Sequence, residues 1–174
     1  YPSQTNGFVP STYSVDNLWH SMYIHTVLLD DLLPGSTYYY RCGHPEVGWS
    51  QEANFTTPPS PQDPFSGSKN ISWVVFGDMG TVVPMGATVT QAILREHSVS
   101  PFSLALHVGD LAYAGVNSGG EWEPTWDVWM QQIQPLASNM PYQTSVGNHE
   151  KYYNYTAFLH RFNMSGPAAD ASYN

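Results

Sequence analysis

The sequence predicts an α+β chain of two units, a small antiparallel β unit followed by a β-α-β-α-β unit with a parallel sheet. Two observations predict the second unit. Three apolar runs of strand length each end in a glycine-containing turn, and the two segments between these runs have room for a helix. A third observation predicts the first unit, because the first 57 residues contain aromatic-rich runs around a Pro-Gly turn, which is typical of antiparallel strands.

The first unit is predicted over residues 1–57. Its candidate strands are 23–28, 37–41 and 53–57, and the turn 33–36 separates the first two. This pattern favours an antiparallel β-sandwich, which needs roughly 100 residues when complete. We therefore expect a partial sandwich of low independent stability, because its strands would have unpaired edges and half a core.

A proline-rich linker is predicted over residues 58–69. It contains the run Pro58-Pro59-Ser60-Pro61-Gln62-Asp63-Pro64. Proline disfavours both the helix interior and the interior of a sheet. The run therefore indicates a short, stiff connection to the second unit, which we predict over residues 70–174.

The second unit has candidate strands at 71–76, 102–108 and 142–146. Apolar residues recur at helical spacing between them: Met85, Val89, Ala92 and Ile93 in the first interval, and Trp126, Trp129, Met130 and Ile133 in the second. Alternating strands and helices predict parallel strands joined by right-handed crossovers, whose ligands bind at the carboxyl ends of the strands. The three turns that follow these strands should therefore lie close together.

These turns carry candidate metal ligands. They read Gly77-Asp78-Met79-Gly80, Gly109-Asp110-Leu111-Ala112-Tyr113 and Gly147-Asn148-His149-Glu150. Asp78 and Asp110 offer hard anionic oxygens, Asn148 a neutral oxygen and Tyr113 a phenol. A phenol has an unperturbed pKa of about 10, so near neutral pH it binds as phenolate only beside a strongly Lewis-acidic cation. The set therefore favours a trivalent ion such as Fe(III).

The motifs GDMG, GDLAY and GNHE, in this order and spacing, resemble the first three signature blocks of the purple acid phosphatases, which belong to the metallophosphoesterase superfamily. The resemblance implies a dinuclear centre of Fe(III) and a divalent metal (Zn, Mn or Fe). In it Asp78 and Tyr113 would bind Fe(III), Asp110 would bridge both ions, and Asn148 would bind the divalent ion. His149 would contact the phosphate and help to protonate the leaving group, while a metal-bound hydroxide attacks a phosphate monoester at acid pH.

The resemblance also implies a fold for each unit. Residues 1–57 resemble the second half of the fibronectin-III-like domain that precedes the catalytic domain in plant-type and fungal purple acid phosphatases. Residues 70–174 would form the N-terminal β-α-β-α-β half of the metallophosphoesterase α/β sandwich. The family pattern continues with Val-x-x-His and Gly-His-x-His blocks that supply three histidine ligands, and neither block follows Glu150. We therefore expect a fragment, a truncated isoform, or a chain whose remaining polypeptide comes from elsewhere. In each case this chain carries part of the ligand set, and its activity alone is left open.

Two other functions remain open at this point. One is a nucleotide pyrophosphatase or phosphodiesterase of the same fold. The other is a non-catalytic truncated glycoprotein. His107 lies near the end of the second strand, three residues before Asp110, and we interpret it as a buried histidine in the core rather than a ligand.

The composition limits the partners of the chain. The net charge is −9 and only 5 residues are Lys or Arg, whereas a nucleic-acid surface needs clustered cations. No apolar run is long enough to span a membrane. The expected partners are small-molecule phosphate esters, with a homodimer left open, and a phosphate would need positive charge from a metal site.

Four glycosylation sequons begin at Asn54, Asn70, Asn154 and Asn163. Four sequons in so short a chain favour the secretory route, so we predict a glycoprotein that is secreted or lies in the lumen of a lysosome or vacuole. The sequence has a single cysteine, Cys42. We expect it to be buried as a small apolar residue.

Overall fold

The computed structural model describes residues 4–8, 23–60, 71–82, 85–116 and 120–164. Within these ranges helices and strands are mixed, as predicted. None of the helices described is both long enough and apolar enough to cross a bilayer. Most of the predicted linker and the sequon residue Asn70 lie outside the described residues.

The first part of the chain forms three antiparallel strand pairs. Its strands are β1 (Gln4–Phe8), β2 (Tyr23–Val27), β3 (Thr37–Tyr40), β4 (Gly43–His44), β5 (Gly48–Trp49) and β6 (Ala53–Thr56). Strand β1 pairs with β2, β3 with β6 and β4 with β5. The prediction of antiparallel β-structure is confirmed, while the fibronectin-III-like arrangement stays a prediction.

No residue between 23 and 60 is buried. The ring of Tyr38 on β3 stacks on that of Phe55 on β6, with centroids 5.7 Å apart. The Tyr40 hydroxyl donates to the carbonyl of Ser138, at 2.8 Å, and so joins this part of the chain to the second. Our expectation for Cys42 is wrong, because the thiol is free and exposed. It lies between β3 and the two-residue strand β4.

The second part contains a three-stranded parallel sheet in the order β7 (Trp73–Phe76), β8 (Leu104–Val108) and β9 (Tyr142–Ser145). Helix α1 (Gly86–Val99) connects β7 to β8, and helix α2 (Glu123–Ala137) connects β8 to β9. A short helix, α3 (Thr156–Arg161), follows the sheet. The predicted β-α-β-α-β order is therefore confirmed.

The hydrophobic core lies between one face of this sheet and the helices. Its buried residues are Met79, Ile93, Ala105, Leu111, Ala112, Ala114, Trp126, Trp129, Ile133, Leu136, Met140, Ala157 and Phe158. Val74, Phe76 and Tyr142 point to the same face and pack against this cluster. The opposite face is open, since Trp73, Val75 and Val108 are each 57–58% exposed.

Helix α2 has the predicted apolar stripe. Trp126, Trp129 and Ile133 are at most 3% exposed, and Met130 packs against them. Their spacing places them on one face of the helix. The prediction for α2 is confirmed.

Of the predicted stripe of α1, only Ile93 is confirmed as buried, and the prediction is wrong for the other three residues. Met85 precedes the helix, and Val89 and Ala92 are exposed. The buried residues of α1 are Gly86, Thr90 and Ile93. A side chain at position 86 would lie 1.9 Å from the carbonyl oxygen of Gly80. Small residues thus let α1 pack closely against the first turn, which hydrophobicity alone does not indicate.

Arg161 ends helix α3 and packs against helix α2. Its guanidinium is 2% exposed, forms an ion pair with the fully buried Glu123 at the start of α2, and lies 5.1 Å from the ring centroid of Trp126. A buried charge requires such a partner. The pair therefore holds α3 against α2.

Candidate metal centre

The first two turns lie side by side at the carboxyl ends of β7 and β8. The backbone N–H groups of Asp78, Met79 and Gly80 donate to the carbonyls of Gly109, Asp110 and Leu111, at 3.3, 3.2 and 2.8 Å. The hydrogen-bond ladder thus continues past the last residues of the strands. The two turns are therefore held in register by the backbone itself.

Three of the predicted ligands have left-handed backbone conformations. The φ angles are 53° for Asp78, 53° for Asp110 and 56° for Tyr113. Aspartate adopts this region more readily than most residues, whereas for a bulky tyrosine it is a true outlier. Such outliers cluster at functional sites, where the surrounding packing maintains them. Here the residues next to the aspartates, Met79 and Leu111, are at most 1% exposed and hold the turns in the core.

The third turn follows β9 and contacts the second. A Cβ atom at Gly147 would lie 2.1 Å from Asp110 Oδ1, so only glycine fits there. The next three residues, Asn148–Glu150, form one turn of 3-10 helix. Within it the backbone N–H of His149 donates to Asp110 Oδ1 at 3.0 Å.

The turns bring four of the five predicted site residues into mutual contact. The Tyr113 hydroxyl donates to Asp78 Oδ1 at 3.0 Å and lies 3.5 Å from Asp110 Oδ2. The ring of His149 packs on the ring of Tyr113, with centroids 4.3 Å apart. Asn148 lies in the same turn as His149, and its side chain is exposed.

Burial and the neighbouring carboxylates both favour the neutral phenol of Tyr113. Burial raises its pKa most, and the hydrogen bond to Asp78 and the negative charge of Asp110 raise it further. A bound cation would reverse this balance, because it would neutralise the carboxylates and favour the phenolate. Two carboxylates and a phenol within hydrogen-bonding distance therefore fit a hard, highly charged cation.

Among the described residues, no three His, Cys, Asp or Glu side chains gather in a way that would hold a metal ion. Of the predicted ligands only Asp78 and Asp110 are of these types, and the others are a phenol and an amide. The assignment of Asp78, Asp110, Tyr113 and Asn148 as ligands, and of His149 as a catalytic residue, stays a prediction.

His107 lies below this site rather than in it. It is 1% exposed, and its Nδ1 forms a 3.0 Å hydrogen bond with the Tyr142 hydroxyl. Burial lowers its pKa to about 4, and the charge of Asp78 opposes this effect only in part. The prediction of a buried histidine is confirmed, and the ring is neutral near pH 7.

Glu150 is the site residue to which the sequence assigned no role. It is 1% exposed, and its carboxylate accepts hydrogen bonds from the backbone N–H groups of Asp110, Leu111 and Gly147. Burial raises its pKa, while these three donors act in the opposite direction. The available signal was its place directly after Asn148 and His149, at the end of the third turn.

Three of the four sequon asparagines are on the surface. Asn54, Asn154 and Asn163 are exposed, and Asn70 lies outside the described residues. Exposure is a requirement for glycosylation and does not establish it. Glycosylation stays a prediction.

Comparison with known proteins supplies independent evidence on the family. Residues 2–57 match the family described as "Purple acid Phosphatase, N-terminal domain". Acid phosphatase type 7 of Mus musculus is 37% identical over 154 residues, which cover 86% of this chain and 31% of the relative. "Probable purple acid phosphatase 20" of Arabidopsis thaliana is 33% identical over 150 residues, with 86% and 30% covered.

A third relative is named as inactive. "Probable inactive purple acid phosphatase 1" of Arabidopsis thaliana is 32% identical over 145 residues, which cover 74% of this chain and 22% of the relative. The chain thus spans less than a third of the length of these curated relatives. The resemblance drawn from the three turns is confirmed. Over most of its length the chain is similar to proteins named as acid phosphatases and purple acid phosphatases.

Proposed function

We propose that the three turns form the metal-binding part of an acid phosphatase site that hydrolyses phosphate monoesters. The observation that carries the proposal is the convergence of side chains from three separate turns, with oxygens from the first two and an imidazole ring from the third. Tyr113 Oη lies within 3.5 Å of both Asp78 Oδ1 and Asp110 Oδ2, and the ring of His149 packs on that of Tyr113. The curated relatives named acid phosphatase support the same activity.

Each ligand has a proposed place in a dinuclear centre. Asp78 and Tyr113 would hold Fe(III), Asp110 would lie between both ions, and Asn148 would hold a divalent ion (Zn, Mn or Fe). When bound, the two ions would polarise the phosphoryl group and supply the positive charge that a chain of net charge −9 lacks. Tyr113 would lose its hydroxyl proton on binding, since only the phenolate is a strong ligand.

His149 is the proposed acid of the reaction. Its backbone is fixed by Asp110 Oδ1 and its ring by Tyr113, so the imidazole has a defined position beside the carboxylates. A protonated imidazole could donate an N–H to a phosphoryl oxygen and then transfer the proton to the leaving alcohol. Either step needs a side chain held in a fixed position, and Asp110 and Tyr113 provide this for His149.

The wider organisation belongs to the same proposal. Residues 1–57 would be part of a fibronectin-III-like domain, 58–69 a linker and 70–174 part of a metallophosphoesterase domain. Exposed Asn54, Asn154 and Asn163 support a glycoprotein of the secretory route, either secreted or in the lumen of a lysosome or vacuole. A homodimer is the proposed assembly that awaits a test by analytical ultracentrifugation.

The test of function is hydrolysis of an aryl phosphate monoester, an aryl phosphate diester and pyrophosphate by protein loaded with iron and zinc. The matched control is Asp110→Asn, which keeps the shape of the side chain and removes its charge. We expect turnover of the monoester by the native protein and a rate at least about 100-fold lower in the variant. Mutation of residues that only hydrogen-bond to a metal ligand already lowers metal affinity or activity 10- to 100-fold, and Asp110 is itself a proposed ligand.

Two results would contradict the proposal. Turnover of the diester or pyrophosphate alone would indicate a phosphodiesterase or nucleotide pyrophosphatase of the same fold. Protein that retains no metal and hydrolyses none of the three substrates would indicate a non-catalytic member of the family, a class that the relatives named inactive represent.

A further inference from the structure

Glu150 connects two of the three turns through a single buried carboxylate. Its Oε2 accepts from the backbone N–H of Gly147 at 2.7 Å and from that of Asp110 at 2.9 Å. Its Oε1 accepts from the backbone N–H of Leu111 at 2.8 Å. One donor belongs to its own turn, and the other two belong to the turn after β8.

These donors have few alternatives. Leu111 is fully buried, and a buried N–H without a partner costs about 1–3 kcal/mol. Asp110 has a left-handed conformation, with φ of 53°, so its N–H does not continue the ladder of the sheet. The carboxylate of Glu150 therefore supplies the acceptors that allow the second turn to keep this shape.

The contact is reciprocal. While Glu150 accepts from the backbone of Asp110, the side chain of Asp110 accepts from the backbone of His149 through Oδ1 at 3.0 Å. Each turn thus binds the backbone of the other with a side chain. The position 147 between them has no Cβ, which lets Asp110 lie against it.

We infer that Glu150 is a positioning residue that sets the distance between Asp110 and the Asn148-His149 turn, and through it the geometry of ion binding. The ion-binding half of this inference rests on the proposed function. Glu150 itself is 1% exposed, and both of its oxygens are occupied by backbone donors, so it is neither a ligand nor in contact with substrate.

Glutamine at position 150 separates this role from simple space filling. Glu150→Gln keeps the size of the side chain but replaces one acceptor oxygen with an NH₂ group that cannot accept. Either Leu111 or the pair Asp110 and Gly147 then loses its acceptor. Substitutions elsewhere provide two controls: Glu121→Gln, at a carboxylate that is also fully buried and bonds to Trp126, and Ile133→Val, a small loss of core volume.

The first measurement needs no metal. Hydrogen exchange followed by NMR should show exchange at least about tenfold faster than in the native chain at the amides that lose their acceptor in Glu150→Gln, which are either Leu111 or the pair Asp110 and Gly147. The two controls should leave the relative protection of these amides unchanged. Unchanged protection in Glu150→Gln would overturn the inference, whether or not the chain binds metal.

The second measurement is a titration with Fe(III), read from the visible absorption of an iron-tyrosinate. We expect Glu150→Gln to weaken Fe(III) binding about 10- to 100-fold and both controls to bind as the native chain does. Native affinity in Glu150→Gln would overturn the inference. If the native chain binds no Fe(III), the proposed function fails, and the exchange result alone decides the role of Glu150.

Discussion

The two parts of this chain differ in how they are stabilised. Between residues 23 and 60 strands pair with one another, yet no side chain is buried. Between residues 71 and 164 a three-stranded sheet packs against helices. This part contains all of the buried apolar residues of the described chain. Paired strands alone are marginally stable in water, and a hydrophobic face against a second layer is required. The candidate site therefore depends on the second part for its stability, because Met79 and Leu111 of the first two turns are buried in the core.

The core of the second part offers the largest test of this comparison. Trp129 is fully buried, so Trp129→Ala should lower the free energy of unfolding by about 3–5 kcal/mol, through lost burial and a cavity. Tyr39 on β3 is 67% exposed, and Tyr39→Ala should change it by less than about 0.5 kcal/mol. Urea unfolding followed by circular dichroism measures both. Equal losses would show that the first part has a core of its own.

Two ion pairs give the next comparison. Arg161 and Glu123 form a buried pair with side chains 2% and 0% exposed, whereas Arg41 and Glu52 form an exposed pair at 3.4 Å, 57% and 51% exposed. Arg161→Met should cost about 3 kcal/mol because it removes the cation from a buried ion pair. Arg41→Met should cost less than about 1 kcal/mol.

The double variant Arg161→Met with Glu123→Gln sharpens this result. It removes both charges, so it should recover part of the loss in Arg161→Met. A double variant that is less stable than the sum of its single variants would contradict the explanation by a broken buried ion pair. Thermal unfolding at one protein concentration is sufficient for the comparison.

The buried carboxylate of Glu121, in the second part, should make the free energy of unfolding depend on pH. This effect is smaller than those of the substitutions above. Burial raises the pKa of Glu121 to about 7 from 4.5, and the charge of Glu123 adds to this against the hydrogen bond from Trp126. The folded state therefore binds the carboxyl proton of Glu121 more tightly than the unfolded state does. The stabilisation from this proton is complete below pH 4.5 and is lost as the pH rises through 7. The slope is at most about 1.4 kcal/mol per pH unit.

The variant Glu121→Gln should remove this slope, since the amide resembles the protonated acid at every pH. The control Glu52→Gln, in the first part of the chain, should keep it. Stability measured by urea unfolding at several values between pH 5 and 8 decides the matter. A pH dependence in Glu121→Gln equal to that of the native chain would contradict a contribution from Glu121 and leave Glu150 and His107, whose pKa values are also shifted.

Much of the fold could be predicted because it follows local patterns. The three parallel strands lie where apolar runs precede glycine turns, and α2 shows the expected stripe of Trp126, Trp129 and Ile133. The phase of α1 could not be predicted, because its buried face depends on small residues such as Gly86 rather than on apolar ones. The exposure of Cys42 could not be predicted either. Whether other elements pack over a residue is a property of the whole fold and not of the local sequence.

The site was predictable to the extent that its chemistry is carried by the turns. Asp78, Asp110 and Tyr113 could be singled out as hard oxygen donors, and the parallel strands explain why they meet. Glu150 and the Arg161–Glu123 pair could not be found in this way, because charged residues are ordinarily on the surface. Their burial follows from three-dimensional contacts with backbone donors and with each other.

The most direct test of the metal-centre proposal is the visible absorption spectrum of the purified chain after reconstitution with Fe(III), beside a Tyr113→Phe control. Phenylalanine keeps the ring that packs on His149 and removes the hydroxyl that contacts Asp78. We predict a charge-transfer band in the native chain that is absent from the control. A native chain with bound iron and no such band, or a band that persists in Tyr113→Phe, would contradict the assignment of Tyr113 as a ligand.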